Sequence, residues 1–152
     1  MENEQIKQYL ISFVEKTLDQ CDLFTQIYGK NFVKQRLELN LDKVYMGGYS
    51  NCCAGEYNRQ NKCITIYSND ESGDFITISY IKKNREYQQI ILHEAIHAIF
   101  AKTKGECDAQ GILSGTGTVE IYEDGKELGR GLNEGLTEWI CECCWSYATF
   151  FL

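Results

Sequence analysis

Proline is missing from the 152 residues, histidine occurs only twice, and Lys and Arg never gather into a basic run. Average usage would supply about seven or eight prolines; their absence removes one class of rigid turn and leaves 13 glycines to make the bends. With a net charge of −7 and a pI near 4.9, the missing basic run argues against nucleic acid as a partner, because phosphate contacts need clustered Lys and Arg. No apolar stretch is long enough to cross a bilayer, so no membrane association is expected. The opening Met1-Glu2-Asn3-Glu4-Gln5 has neither a basic n-region nor an apolar h-region, which makes the cytoplasm the expected location. Thiols stay reduced there, so the eight cysteines are read as thiols rather than as a disulfide framework.

What is present begins with ordinary globular composition, 43% hydrophobic and 24% charged. A chain of this length buries roughly two thirds of its unfolded surface, and residues 1–152 are read as one domain without repeats or linkers. Both histidines fall in a single string, His93-Glu94-Ala95-Ile96-His97. Positions i and i+4 stack on one helical face, so two imidazoles can reach one metal ion with a carboxylate beside it. Chance supplies this HExxH pattern in a chain of this composition about three times in a thousand. Glu94 is the sole charged residue between Ile90 and Ala101, and such dryness strengthens a metal's effect on its bound water. The competing reading is a core helix with two satisfied histidines, which would need separate partners for each imidazole and for the carboxylate.

Catalytic zinc usually takes three protein ligands and leaves a fourth position for water. With histidine exhausted, the third ligand must be a carboxylate or a thiolate. The segment Gly131-Leu132-Asn133-Glu134-Gly135-Leu136-Thr137-Glu138-Trp139 offers Glu134 and Glu138, again at i and i+4. One could ligate while the other supports a ligand. Cysteine is the other source: Cys141-Glu142-Cys143-Cys144, with Cys52-Cys53 and Cys63, could form a separate zinc site. Adjacent cysteines rarely ligate one ion with good geometry, so buried small hydrophobes are the better reading.

HExxH followed by Asn133-Glu134-Gly135 and Glu138 resembles the gluzincins, the zinc peptidases that include thermolysin and the membrane alanyl aminopeptidases. The similarity covers about residues 88–142. It implies a Zn2+ cofactor held by His93, His97 and Glu134, with Glu138 fixing the tautomer of His93. It also implies peptide or protein substrates and Glu94 as general base, taking a proton from the metal's water and passing it to the leaving amine. The oxyanion-stabilising group is not evident; Tyr57, Tyr122 and Tyr147 are candidates, each also readable as a packing residue. The chain departs from the family in the 36 residues between His97 and Glu134, which look like an insertion. There, residues 116–128 alternate about an Asp124-Gly125 turn signal, as a β-hairpin would. It is read either as a specificity element at the cleft rim or as surface decoration.

Periodicity places an amphipathic helix over residues 3–28 and a second over 32–41, with a break at Gly47-Gly48. A hairpin follows over 56–68, then a short third strand or helix lead-in over 75–80. The HExxH helix is expected from about 84 to 102, and the glutamate helix from near 132 through 145. The expected fold is α+β and zincin-like: a small antiparallel sheet packed on the HExxH helix and a second glutamate-bearing helix, plus an N-terminal helix. In the resembling enzymes an edge strand above the metal helix pairs with the substrate; residues 63–67 are the candidate here. The apolar end, Trp145, Tyr147, Phe150, Phe151 and Leu152, reads as a helix packed on the core, an oligomer interface, or the stump of a missing C-terminal region. A catalytically inactive zincin-like domain that binds metal for regulation is the alternative function.

Overall fold

The computed structural model describes residues 2–101, 121–123, 126–128 and 130–149. The chain opens with three helices, α1 (Glu2–Asp19), α2 (Asp22–Tyr28) and α3 (Phe32–Asn40). On α1, Leu10, Ile11, Val14, Thr17 and Leu18 are buried at helical spacing and form one wall of the core. The expected single helix over 3–28 is thus two, parted at Gln20-Cys21, where Cys21 is extended with φ −86° and ψ 99°. Neither Gly nor Pro marks the break. The turn keeps Cys21 and Phe24 buried while α2 joins an aromatic cluster in which Tyr28 meets Phe32 at 4.7 Å and Phe100 at 5.4 Å. Gly29, at φ +84°, ends α2.

The sheet is mixed, not wholly antiparallel. Its order is β1 (Lys43–Met46), β3 (Cys63–Ile66), β2 (Gly55–Asn58). The expected hairpin is β2 with β3, antiparallel, pairing Gly55 with Ile66 and Asn58 with Cys63. The correction comes from β1, which runs parallel to β3 in the register Val44 to Ile64 and Met46 to Ile66. Four residues between Asp42 and Gly47 give too short an alternation to announce a strand, and the β2–β3 hairpin leaves it only the other side of β3. A second correction follows: β3, read as an edge, is the central strand, and β2 is the edge nearest the metal helix. Val44, Met46, Ile64 and Ile66 point to the core.

Residues 75–80 are a lead-in rather than a strand: Thr77 caps α4 (Ile78–Ile81) by accepting from the Tyr80 N–H at 3.2 Å. Asn84 then caps α5 (Arg85–Phe100), its Oδ1 accepting from the Glu86 and Tyr87 N–H groups at 3.1 and 3.3 Å. The far end of α5 is held by α3. Asn40, buried, donates from Nδ2 to the carbonyls of Ala98 at 2.8 Å and Ala101 at 2.9 Å. Arg36 donates from Nε to the Ile99 carbonyl at 2.8 Å and from Nη2 to that of Ala101. These bonds satisfy carbonyls that a helix C-terminus leaves without partners.

The inserted hairpin is seen as β4 (Ile121–Glu123) and β5 (Lys126–Leu128), with Glu123 opposite Lys126. The Asp124-Gly125 turn and residues 116–120 lie outside the described residues. Last comes α6 (Arg130–Thr149). It buries Thr137, Cys141, Cys144 and Trp145 on one face and packs on α5 and α1, with Trp145 edge-on to Phe13 at 6.4 Å. Phe150, Phe151 and Leu152 lie outside the described residues. Among the described residues there are six helices, this three-stranded sheet and a two-stranded ribbon, an α+β fold. No described helix is long and apolar enough to cross a membrane.

Candidate metal centre

His93 and His97 project from successive turns of α5, and Glu134 and Glu138 from successive turns of α6, which packs against it. The two Nε2 atoms stand 3.2 Å apart. The Glu134 carboxylate faces both rings, with Oε2 at 3.2 Å from His93 Nε2 and Oε1 at 3.3 Å from His97 Nε2. Among the described residues, His93, His97 and Glu134 are the group of His, Cys, Asp and Glu side chains close enough to hold a metal ion. Nitrogen and oxygen ligands about 2.0–2.2 Å from a tetrahedral ion stand about 3.3–3.6 Å from each other, so these separations suit one small cation.

Proton placement sharpens the fit. With Glu134 ionised, the imidazole–imidazole contact requires an N–H on one Nε2 and not the other. The ring left bare then turns a lone pair toward a Glu134 oxygen. With both Nε2 atoms protonated, each ring can donate to its own Glu134 oxygen; with both bare, the two lone pairs and the carboxylate can converge on one cation. Glu138 Oε2 lies 2.9 Å from His93 Nδ1. It can accept the Nδ1 proton and so leave Nε2 free to ligate, the role of a carboxylate behind a metal-bound histidine.

Glu94 lies beside this cage and outside it. It is only 8% exposed. Desolvation by burial pushes its carboxyl up to about 7, opposed by His93, with Glu134 and Glu56 adding to the rise and a bond from the Tyr57 backbone N–H lowering it. The wall against Glu94 is the outer edge of β2. A Cβ on Gly55 would stand 2.9 Å from Glu94 Cγ and 2.9 Å from Ile90 Cγ2, so only glycine lets the strand approach this closely.

A cleft of about 880 Å³ opens above the cage between β2, α5 and α6. Tyr57 lines it, but its hydroxyl donates to the Asn40 carbonyl at 2.8 Å and is committed to the fold; burial raises that phenol to about 12. The side chains of Tyr122 and Tyr147 lie outside the described residues. Cys141 and Cys144 are buried free thiols, Cys143 is half-buried, and Cys52 and Cys53 are exposed. Cys141 donates to the Gln89 carbonyl at 3.8 Å. Burial pushes its thiol up to about 12 and raises that of Cys144 as well, so neither offers a thiolate near neutrality.

Sequence spacing identified the ligand and support candidates because each pair sits on one helix. The β2 wall and the α3 clasp went unread, since strand register and a contact 58 residues away leave no mark on local periodicity. Comparison with protein-family models, with curated proteins and with solved structures finds no match.

Proposed function

We propose that this chain is a gluzincin-type zinc peptidase, with a zincin-like fold, in which His93, His97 and Glu134 hold Zn2+ and Glu94 is the general base. The observation that carries the reading is the cage of two imidazoles and a carboxylate 3.2–3.3 Å apart, a spacing that suits three ligands of one small cation. Two histidines and one glutamate form a common donor set of hydrolytic zinc. When bound, zinc there supplies Lewis acidity, lowering the pKa of its water to about 7 and polarising a carbonyl.

The chain's own groups do the rest. Glu94, beside the cage and not among its ligands, takes a proton from the attacking water as its oxygen bonds to the amide carbon, then delivers that proton to the amine nitrogen as the C–N bond breaks. A carboxyl raised by burial suits both duties. Glu138 keeps the His93 proton on Nδ1. Substrates are peptides or proteins, and the expected location remains the cytoplasm.

A metal-binding domain without turnover is favoured by one observation: the sole tyrosine among the described cleft residues, Tyr57, gives its hydroxyl proton to Asn40. Metal analysis and a fluorescent casein assay test both readings. Wild type is expected to carry about one zinc per chain and to cleave, His93→Ala to lose zinc, and Glu94→Gln to keep zinc without cleaving. Equal hydrolysis by wild type and Glu94→Gln would overturn the mechanism, and zinc without hydrolysis in wild type would establish the second reading.

A further inference from the structure

The described walls of the cleft carry one sign of charge. Among the described residues six glutamates line it, Glu56 from β2, Glu86 and Glu94 from α5, and Glu134, Glu138 and Glu142 from α6, and none of the described lining residues is Lys or Arg. Three of the six have duties at the cage. Glu134 would hold the cation, Glu94 is the proposed base beside it, and Glu138 pairs with His93.

Glu56, Glu86 and Glu142 remain, all exposed and on three different elements. Their few described contacts are with neutral groups: Glu56 accepts from the Tyr67 hydroxyl at 2.7 Å, and Glu86 from Asn69 Nδ2 at 3.5 Å. Glu86 also suits the first turn of α5, which explains its presence but does not cancel its charge. The Arg85 guanidinium lies 5.8 Å from the ring centroid of Trp145, at one wall, and Arg59 and Arg36 act on Tyr57 at another.

Like charges gathered on the walls of a cleft focus a field into it, attracting cations and repelling anions. We infer that the site selects polypeptides bearing Lys or Arg side chains close to the bond that is cut, with Glu56, Glu86 and Glu142 as the specificity-determining groups. Cleavage near those side chains rests on the peptidase reading; the charge selection itself does not. A free α-amino terminus presents the same chemistry as a lysine, so the test separates them.

Anisotropy of labelled peptides on the zinc-loaded Glu94→Gln protein reads binding without cleavage. Four peptides of one length are compared: acetylated with paired Lys, acetylated with paired Gln, acetylated with paired Glu, and the Gln peptide with a free terminus. The Lys peptide is expected to bind about tenfold or more tightly than the acetylated Gln peptide in about 20 mM salt, and the Glu peptide weakest, with the ratio falling toward one in about 0.5 M salt. Adding Glu56→Gln, Glu86→Gln and Glu142→Gln together should collapse the Lys-to-Gln ratio, with circular dichroism confirming an unchanged fold. Equal binding of acetylated Lys and Gln peptides, or an undiminished ratio in the combined variant, would overturn the proposal. A preference confined to the free-terminus peptide would replace side-chain selection by terminus capture. Intact Lys preference together with no cleavage of any peptide by wild type supports the charge selection and sinks the peptidase reading alone.

Discussion

Gly55→Ala is the sharpest probe of how the base is held. The new methyl carbon would lie 2.9 Å from Glu94 Cγ, 2.9 Å from Ile90 Cγ2 and 3.3 Å from Glu94 Oε1. Ordinary carbon contacts begin near 3.5 Å, so the Glu94 side chain must retreat by about 0.6 Å, the difference between 3.5 and 2.9. A base works within about 2.6–3.2 Å of the proton it takes, and the retreat consumes that whole range. A misplacement of about 1 Å can cost about a hundredfold in rate; a fall in kcat of about 10- to 100-fold is therefore expected. Zinc affinity should stay within about twofold, because no ligand atom is among those displaced. Overpacking costs about 1–3 kcal/mol, and at about 2–4 °C per kcal/mol for a chain of this size the melting temperature should drop by several degrees. Peptide hydrolysis, chelator competition for zinc and a thermal melt give the three readouts. Wild-type turnover in Gly55→Ala would refute β2 as the wall positioning Glu94, and a parallel loss of zinc would show that the disturbance reaches the cage instead.

Three further outcomes are expected. Glu138→Ala should weaken zinc binding about 10- to 100-fold by chelator competition, with Glu138→Gln intermediate, because the amide oxygen still accepts the His93 Nδ1 proton. Asn40→Ala removes the donor to the buried carbonyls of Ala98 and Ala101 and should destabilise the protein by about 2–3 kcal/mol in urea titration; an effect below about 0.5 kcal/mol would count against the clasp. In the metal-free protein, Glu94 with its carboxyl raised to about 7 keeps its proton where the unfolded chain has lost it. Its contribution is fully present below about pH 4.5 and is lost as pH rises through 7, about 3 kcal/mol over that window. Metal-free Glu94→Gln should show a flatter stability profile there, and identical slopes would contradict the burial of Glu94.

The parts of this molecule that could be read directly are those where one helix turn carries the message. The dry flank Ile90–Leu92 and the i, i+4 histidines lie on α5, which Asn84 caps and whose bounds, Arg85–Phe100, fall close to the expected span. Glu134 and Glu138 likewise declare a shared face before anything is known of their neighbours. Fixing the distance between the two helices needs tertiary packing, which spacing does not contain. The strand Lys43–Met46 became legible only through its partner β3, and the break after Asp19 only through the aromatic cluster that α2 joins. Nothing in the local sequence singles out Gly55, because its meaning lies in Glu94 and Ile90, more than thirty residues on.

The clasp between α3 and the carbonyl end of α5 ties ion occupancy to a part of the chain that never meets the ion. His97 is the residue immediately before Ala98, so any fluctuation that frees Asn40 and Arg36 also loosens the turn presenting that imidazole. Cation binding resists such fluctuations by mass action. Amide exchange at Leu37 and Asn40 should therefore slow as the cage fills, making the third helix a remote gauge of how much of the protein is loaded.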